Sequence, residues 1–222
     1  MNHETVLLTV RGTLVPSSLE TACVLHNETA GSAPAIAGAR ALGDLSHKVY
    51  SPVLGAPGAA AGELLFLDVW TGPEGIGRFF GNPQVQEQAG RLFSRRDAAV
   101  WRPVRDAFGF DLPAPRSKGE RWLGIVRGPV VSADQAAQTF RAVLAPKLGD
   151  ARRRGQLSHA LFARLPFPGE PSAPEIFGLD VWCDAQGMQE HYRELTGFDR
   201  AFTGAPAASV WQEAAGGTWS EW

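Results

Sequence analysis

The sequence predicts an α+β fold built from two tandem copies of one βαββαβ unit. Three observations carry that prediction. The tetrapeptide Leu67-Asp68-Val69-Trp70 returns as Leu179-Asp180-Val181-Trp182, an offset of 112. At that same offset Gly43, Leu45-Ser46-His47, Glu63 and Gly75 match Gly155, Leu157-Ser158-His159, Glu175 and Gly187. Arg11-Gly12 meets Arg127-Gly128 at offset 116, and Val100-Trp101 meets Val210-Trp211 at offset 110, so the blocks keep one order with small insertions between them. Several ordered blocks at nearly one spacing mark a tandem repeat.

The repeat divides the chain into a first unit at 1–104, a linker at 105–119, a second unit at 120–215 and a tail at 216–222. Thr5 to Val10 and Trp122 to Val126 are short β-rich runs that open the units. A helix follows in each, opened by Pro16-Ser17-Ser18 or Ser132-Ala133-Asp134, where a serine side chain can satisfy the first backbone N–H groups. In the second unit Ala136, Phe140, Val143, Leu144 and Leu148 recur at helical spacing and define a buried stripe. In the first unit the helix is interrupted near Gly31-Ser32-Ala33-Pro34, where the change of offset places a four-residue insertion.

Two hairpin strands come next, from Leu45 to Val53 and from Leu157 to Leu165, each ending in a loop rich in Gly and Pro. The returning strands are Glu63 to Trp70 and Glu175 to Trp182. A second helix starts at Pro73-Glu74 or Asp184 and carries Phe79-Phe80 or His191-Tyr192; the last strand holds Val100-Trp101 or Val210-Trp211. This order is the ferredoxin-like unit. Its sheet carries helices on one face only, so the other face needs an apolar partner. A second copy supplies it, and the expected product is two antiparallel sheets packed into an intramolecular dimeric α/β barrel.

Composition narrows the function classes. With 222 residues the chain fits two compact domains or one large one, and with 44% hydrophobic and 20% charged residues it can bury an ordinary core. A formal charge of −2 offers no electrostatic reason for a nucleic-acid or membrane-surface partner. Arg95-Arg96 and Arg152-Arg153-Arg154 read as solvated helix ends. Cys23 and Cys183 do not correspond between the units and are too few for a disulfide framework, which favours a reducing compartment. Met1-Asn2-His3-Glu4 lacks the charged and apolar regions of a signal peptide, and no run reaches the ~18 apolar residues of a membrane span, so a cytoplasmic location is expected.

Register arithmetic locates a polar pair. If the first hairpin turns near residue 57 or 58, cross-strand partners have numbers that add to about 115, as those of His47 and Asp68 do. In the second unit partners add to about 339, as those of His159 and Asp180 do. Directly opposed residues of antiparallel strands share a face, with Cβ atoms roughly 5 Å apart. A slip of one residue would put the two side chains on opposite faces. Asp68 shares its face with Phe66 and Trp70, and Asp180 shares its face with Trp182; an unpaired Asp among such neighbours would be severely desolvated. An imidazole answers that need, and the carboxylate fixes its tautomer and raises the basicity of its other nitrogen.

Two interpretations of the pairs stay open. In one, His47 and His159 are general bases oriented by Asp68 and Asp180. In the other, each pair is a satisfied polar tie within the core. Asymmetry between the copies offers a further pointer, because His191-Tyr192 stands where the first unit has Phe79-Phe80. Arg11 and Arg127 end the first strands, placed to hold a substrate anion or a carboxylate such as Glu63 or Glu175. Trp70 and Trp182 are duplicated, as are Trp101 and Trp211, which points first to the core. Trp219 and Trp222 are not duplicated, and the tail that carries them can fold back over a surface or cavity. No phosphate-cradling glycine loop, Cys/His metal spacing or nucleophile elbow is present.

The strand ending Leu67-Asp68-Val69-Trp70, the aromatic-bearing helix after it and the short strand with Val100-Trp101 resemble the antibiotic biosynthesis monooxygenase-like proteins of the dimeric α/β-barrel superfamily. The resemblance covers nearly the whole chain, once per repeat, and is a likeness of fold. It implies relatives that include cofactor-independent monooxygenases of polycyclic phenols and haem-degrading enzymes. The haem-degrading members use an Asn on the first strand with a Trp and a His on the second helix. Val10 or Val126, Phe79 or His191, and Ala89 or Ala201 stand at those places here, which argues against haem degradation.

The expected function is therefore a monooxygenase-like enzyme without a cofactor or metal, acting on a small hydrophobic or aromatic, polyketide-type molecule. The His–Asp pairs would act as base, and Arg11, Trp70, Arg127, Trp182, His191 and Tyr192 would line the substrate. The alternative is a ligand-binding or scaffold protein of the same fold. Haem or metal held by His191, His47 or His159 is a third. One chain can satisfy the barrel as a monomeric pseudo-dimer, and exposed edges leave a homodimer open.

Overall fold

The computed structural model describes residues 5–58, 60–111, 120–167, 169–170 and 173–222. Met1–Glu4 and residues 112–119 of the predicted linker lie outside the described residues. The chain is α+β and divides into two compact units. One comprises residues up to Leu54, Ala60–Arg102 and Glu213–Trp222; the other comprises Pro103–Gln212 with the short loop that begins at Gly55.

In the first unit β1 (Val6–Leu14) is followed by α1 (Leu19–Glu28), α2 (Ala33–Ala41), β2 (Asp44–Pro52), β3 (Glu63–Trp70), α3 (Pro73–Phe80), α4 (Pro83–Leu92) and β4 (Phe93–Pro103). Its strands lie in the order β4-β1-β3-β2, all antiparallel. The Ser18 side chain accepts the Thr21 N–H and caps α1, as the sequence suggests. The interruption near Gly31 separates α1 from α2. The second helix of the unit is itself split, because Asn82 caps a new helix that starts at Pro83.

The second unit begins with a short strand, β5 (Phe110–Asp111), inside the segment predicted as linker. Then come β6 (Trp122–Pro129), α5 (Ala133–Leu144), a 3₁₀ turn, α6 (Leu148–Arg153), β7 (Gln156–Leu165), β8 (Glu175–Trp182), α7 (Ala185–Glu194), a second 3₁₀ turn and β9 (Ala207–Glu213). Its order is β9-β6-β8-β7-β5. Ser132 caps α5 and Asp184 caps α7 through their side chains. Phe110 pairs with His159 across β5 and β7, so that stretch has a structural role that its Pro- and Arg-rich composition conceals.

Both cores are anchored by the duplicated tryptophans. Trp70 and Trp101 in one unit and Trp182 and Trp211 in the other are fully buried. The matched glycines have steric causes. A Cβ at Gly75 would lie 2.0 Å from the Leu42 carbonyl oxygen, and one at Gly187 would lie 2.0 Å from that of Arg154. Each second helix thus crosses the turn before the hairpin at backbone contact, which only glycine permits. Among the described residues no helix is long and apolar enough to cross a membrane.

Candidate functional site

The predicted registers hold. His47 lies opposite Asp68 and His159 opposite Asp180. In each pair the imidazole Nδ1 is 2.6 Å from the carboxylate Oδ1, and both histidines are buried. The surroundings of the two pairs differ.

In the first unit a cavity of about 450 Å³ lies against the face of β3 that carries Phe66, Asp68 and Trp70, and α1–α4 complete its walls. Asp44, His47, Phe79 and Trp222 also line it. Asp44 reaches this face through a bulge. It pairs with Trp70 while Ser46 pairs with Val69, so Leu45 is the extra residue and is exposed. One extra residue reverses the alternation of side chains. Asp44 and His47, three positions apart, therefore point the same way, and simple alternation along β2 would have separated them.

His26, on α1, is the second residue that the sequence pattern does not single out. It is fully buried, its ring lies edge to edge with that of His47 and nearly parallel to it, 5.2 Å between centroids, and its Nε2 is 3.0 Å from His47 Nε2. Phe66 meets both rings edge-on. Counting from the helix caps would have exposed His26: it is eighth after Ser18, and Phe140 is eighth after Ser132. Phe140 lies beside His159, with 6.2 Å between ring centroids, as His26 lies beside His47. The spacing already changes between Gly12 and Ser18, so this correspondence shares the offset of the caps, 114, and neither 116 nor 112 reveals it.

The tail packs over the pair. Trp222 stacks on His47 at 4.7 Å, and the two residues exchange backbone hydrogen bonds of 2.8 and 3.3 Å. Trp219 packs on His26, and the Glu221 carboxylate accepts the Val49 N–H at 2.7 Å. The tail folds back over the first unit, where Trp222 lines the cavity and Trp219 packs on His26.

Charge in this pocket is finely placed. Burial, followed by the neighbouring His47, holds His26 down at about 4. Burial, followed by the charge of Asp68, pushes Asp44 up to about 7 against the opposing pull of His47. Asp44 Oδ1 and Trp222 Nε1 are both buried without a hydrogen-bond partner; the indole helps to solvate the Asp44 charge without completing a bond to Oδ1. Asp68 Oδ2 makes no hydrogen bond to any described residue.

The second unit fills the corresponding space. Tyr192 donates its hydroxyl to Asp180 Oδ2 at 2.6 Å and accepts from Trp182 Nε1 at 3.1 Å. Gly124, opposite Asp180 on β6, makes room: a Cβ there would lie 1.9 Å from the Tyr192 oxygen. Leu8 takes that place opposite Asp68, and Phe80 replaces Tyr192. Gly178 replaces Phe66 and leaves room for Phe140 and Val126. Asp44 is matched by Gln156. The asymmetry that singled out His191 and Tyr192 thus marks a packed core. His191 is buried against Trp182, with its charged form disfavoured chiefly by burial.

Arg11 and Arg127 are not brought to the cavity. They pair with Glu63 and Glu175, each at 2.6 Å. Trp70 lines the cavity, whereas Trp182 is buried under Tyr192. Among the described residues no group of three His, Cys, Asp or Glu side chains is placed to hold a metal ion.

No family model matches the chain, and no curated protein matches it in sequence. Solved structures do match. An anthrone oxidase-like protein is 11% identical, with a TM-score of 0.65, covering 97% of this chain and 94% of its own. A putative monooxygenase from Fusobacterium nucleatum is also 11% identical, with a TM-score of 0.59, covering 100% and 99%. A dye-decolorizing peroxidase from Bacteroides thetaiotaomicron is 9% identical, with a TM-score of 0.56, covering 97% and 94%. These likenesses show the fold, that of the dimeric α/β-barrel proteins with two ferredoxin-like repeats. The range of activities named on it leaves the reaction to be argued from the site.

Proposed function

We propose that this protein is a monooxygenase-like enzyme that oxidises an aromatic, polyketide-type molecule with dioxygen in the cavity of its first unit. The observation that carries the proposal is the joining of an aromatic-walled cavity of about 450 Å³ to two buried carboxylates, Asp44 and Asp68, on one face of the sheet. That volume falls within the ~300–1,000 Å³ of small-molecule sites. The likeness to an anthrone oxidase-like protein supports the substrate class.

His47 is not the simple base that the sequence suggests, because the nitrogen it would use faces His26. Asp44, held near 7, is the group suited to take and return a proton at neutral pH. Asp44 would remove a proton from a methylene flanked by aromatic rings. The resulting carbanion would reduce dioxygen and combine with it, and the peroxide would regain the proton. Loss of water then leaves a ketone, so that CH₂ and O₂ become C=O and H₂O. His159 and Asp180 serve as a structural tie in this scheme.

The test is oxygen consumption with anthrone-type substrates, one ketone formed per dioxygen. Asp44→Asn is expected to lower kcat by about 100-fold or more, the ordinary size of general-base catalysis, while Tyr192→Phe in the second unit leaves it unchanged. Equal turnover by wild type and Asp44→Asn would overturn the assignment of the base. Trp222 over His47 also favours a second reading, a ligand-binding protein without chemistry. Quenching of indole fluorescence by such molecules with no oxygen uptake would establish it.

A further inference from the structure

Asn27 sits at the head of a hydrogen-bonded chain that runs through His26 and His47 to Asp68. Its amide orientation is fixed by the tail. The Ser220 backbone N–H donates to Oδ1 at 2.8 Å, and Nδ2 donates to the Thr218 carbonyl at 2.8 Å. A flipped amide would oppose donor to donor and acceptor to acceptor. Oδ1 is therefore the atom that meets His26 Nδ1 at 3.1 Å, and it can only accept.

At the other end Asp68 Oδ1, as a carboxylate, also can only accept. Between two acceptors lie three contacts: Asn27 with His26, His26 with His47, and His47 with Asp68. Three hydrogen bonds between terminal acceptors need three protons. Two neutral imidazoles bring only two.

We infer that the tail, acting through Asn27, holds this chain in a state with one proton more than two neutral imidazoles and a carboxylate, and that His47 rests as an imidazolium against Asp68. His26 then donates from Nδ1 to Asn27 and accepts at Nε2 from His47. The arrangement leaves the buried chain neutral overall, which a site of low dielectric favours over a lone carboxylate. Asp44 and Asp68 face His47 from the sheet, and Glu28 at the end of α1, Arg78 on α3 and Arg96 on β4 also line the cavity. On the tail Glu221 is 3.3 Å from Lys48. Asn27 is thus a positioning residue: it touches no substrate and sets the charge of a group that borders the cavity.

Long-range ¹H–¹⁵N correlation spectra of the histidine rings in the full chain test this directly. At pH 7 the expected pattern is His47 with both nitrogens protonated and His26 protonated at Nδ1 alone. In Asn27→Leu the obligatory acceptor is gone, and the midpoint for loss of the second His47 proton is expected to fall by at least one pH unit. A wild-type spectrum with a single protonated nitrogen on each of His26 and His47 would overturn the inference, whether or not the variant folds. An unchanged His47 midpoint in Asn27→Leu would overturn the role of Asn27. No substrate enters these measurements, so the outcome is independent of whether oxygen is consumed.

Discussion

His26 and Asp44 have opposite pH signatures, and each can be isolated by one substitution. Burial holds His26 at about 4, below its ordinary 6.5. The stability of keeping it neutral is present above 6.5 and is lost as pH falls toward 4. Asp44 is raised from 3.8 to about 7. Its contribution is present below 3.8 and is lost as pH rises toward 7. The two trends oppose each other across the same window, and the wild type is expected to show a shallow profile. Each is worth roughly 2 to 3 kcal/mol, from about 1.4 kcal/mol per pH unit with a discount for water in the cavity. In His26→Phe, which copies Phe140 of the second unit, stability should fall as pH rises from 4 to 7. In Asp44→Asn it should rise over that range. Denaturant unfolding at several pH values measures both, and parallel profiles for the two variants would refute the assignment.

At the scale of elements, what the sequence discloses depends on whether a local rule has an exception. The hairpins obey the rule: the sums that paired His47 with Asp68 and His159 with Asp180 need only a turn centre, and the structure has those registers. The bulge at Leu45 breaks alternation, so Asp44 was not visible as a member of the site. The spacing between the copies shifts before α1 as well as after it, so neither constant offset sets His26 opposite Phe140. Gly75 and Gly187 were visible as matches without a reason. Their reason is backbone contact, and α3 supplies its own control. Gly75→Ala must push helix or turn apart and is expected to cost 2 kcal/mol or more. Gly77→Ala, two residues on and with nothing within 4 Å of the added Cβ, should stabilise by about 0.5 to 1 kcal/mol through helix propensity. Thermal melts of the two single variants should therefore move in opposite directions.

Across the whole molecule the two units have one plan and use its polar pair differently. In the second, Tyr192 completes Asp180 and Trp182, Phe140 covers His159, and the pair is absorbed into the core. In the first, Leu8 and Phe80 deny Asp68 a hydroxyl partner, and Trp70 Nε1 is buried without one. Fold likeness cannot reveal this difference, because both units satisfy the same backbone pattern. It does predict unequal responses to a single hydroxyl. Tyr192→Phe strands a buried donor and a buried acceptor together, and should cost about 1 to 3 kcal/mol. Phe80→Tyr is not its mirror image. Leu8 stands where Gly124 makes room for the Tyr192 oxygen, so the added hydroxyl gains no bond to Asp68 and should not stabilise the protein. Unfolding free energies of the two variants decide the point: a neutral Tyr192→Phe would mean that the second pair is not held by that bridge, and a stabilising Phe80→Tyr would mean that Leu8 does not close the slot.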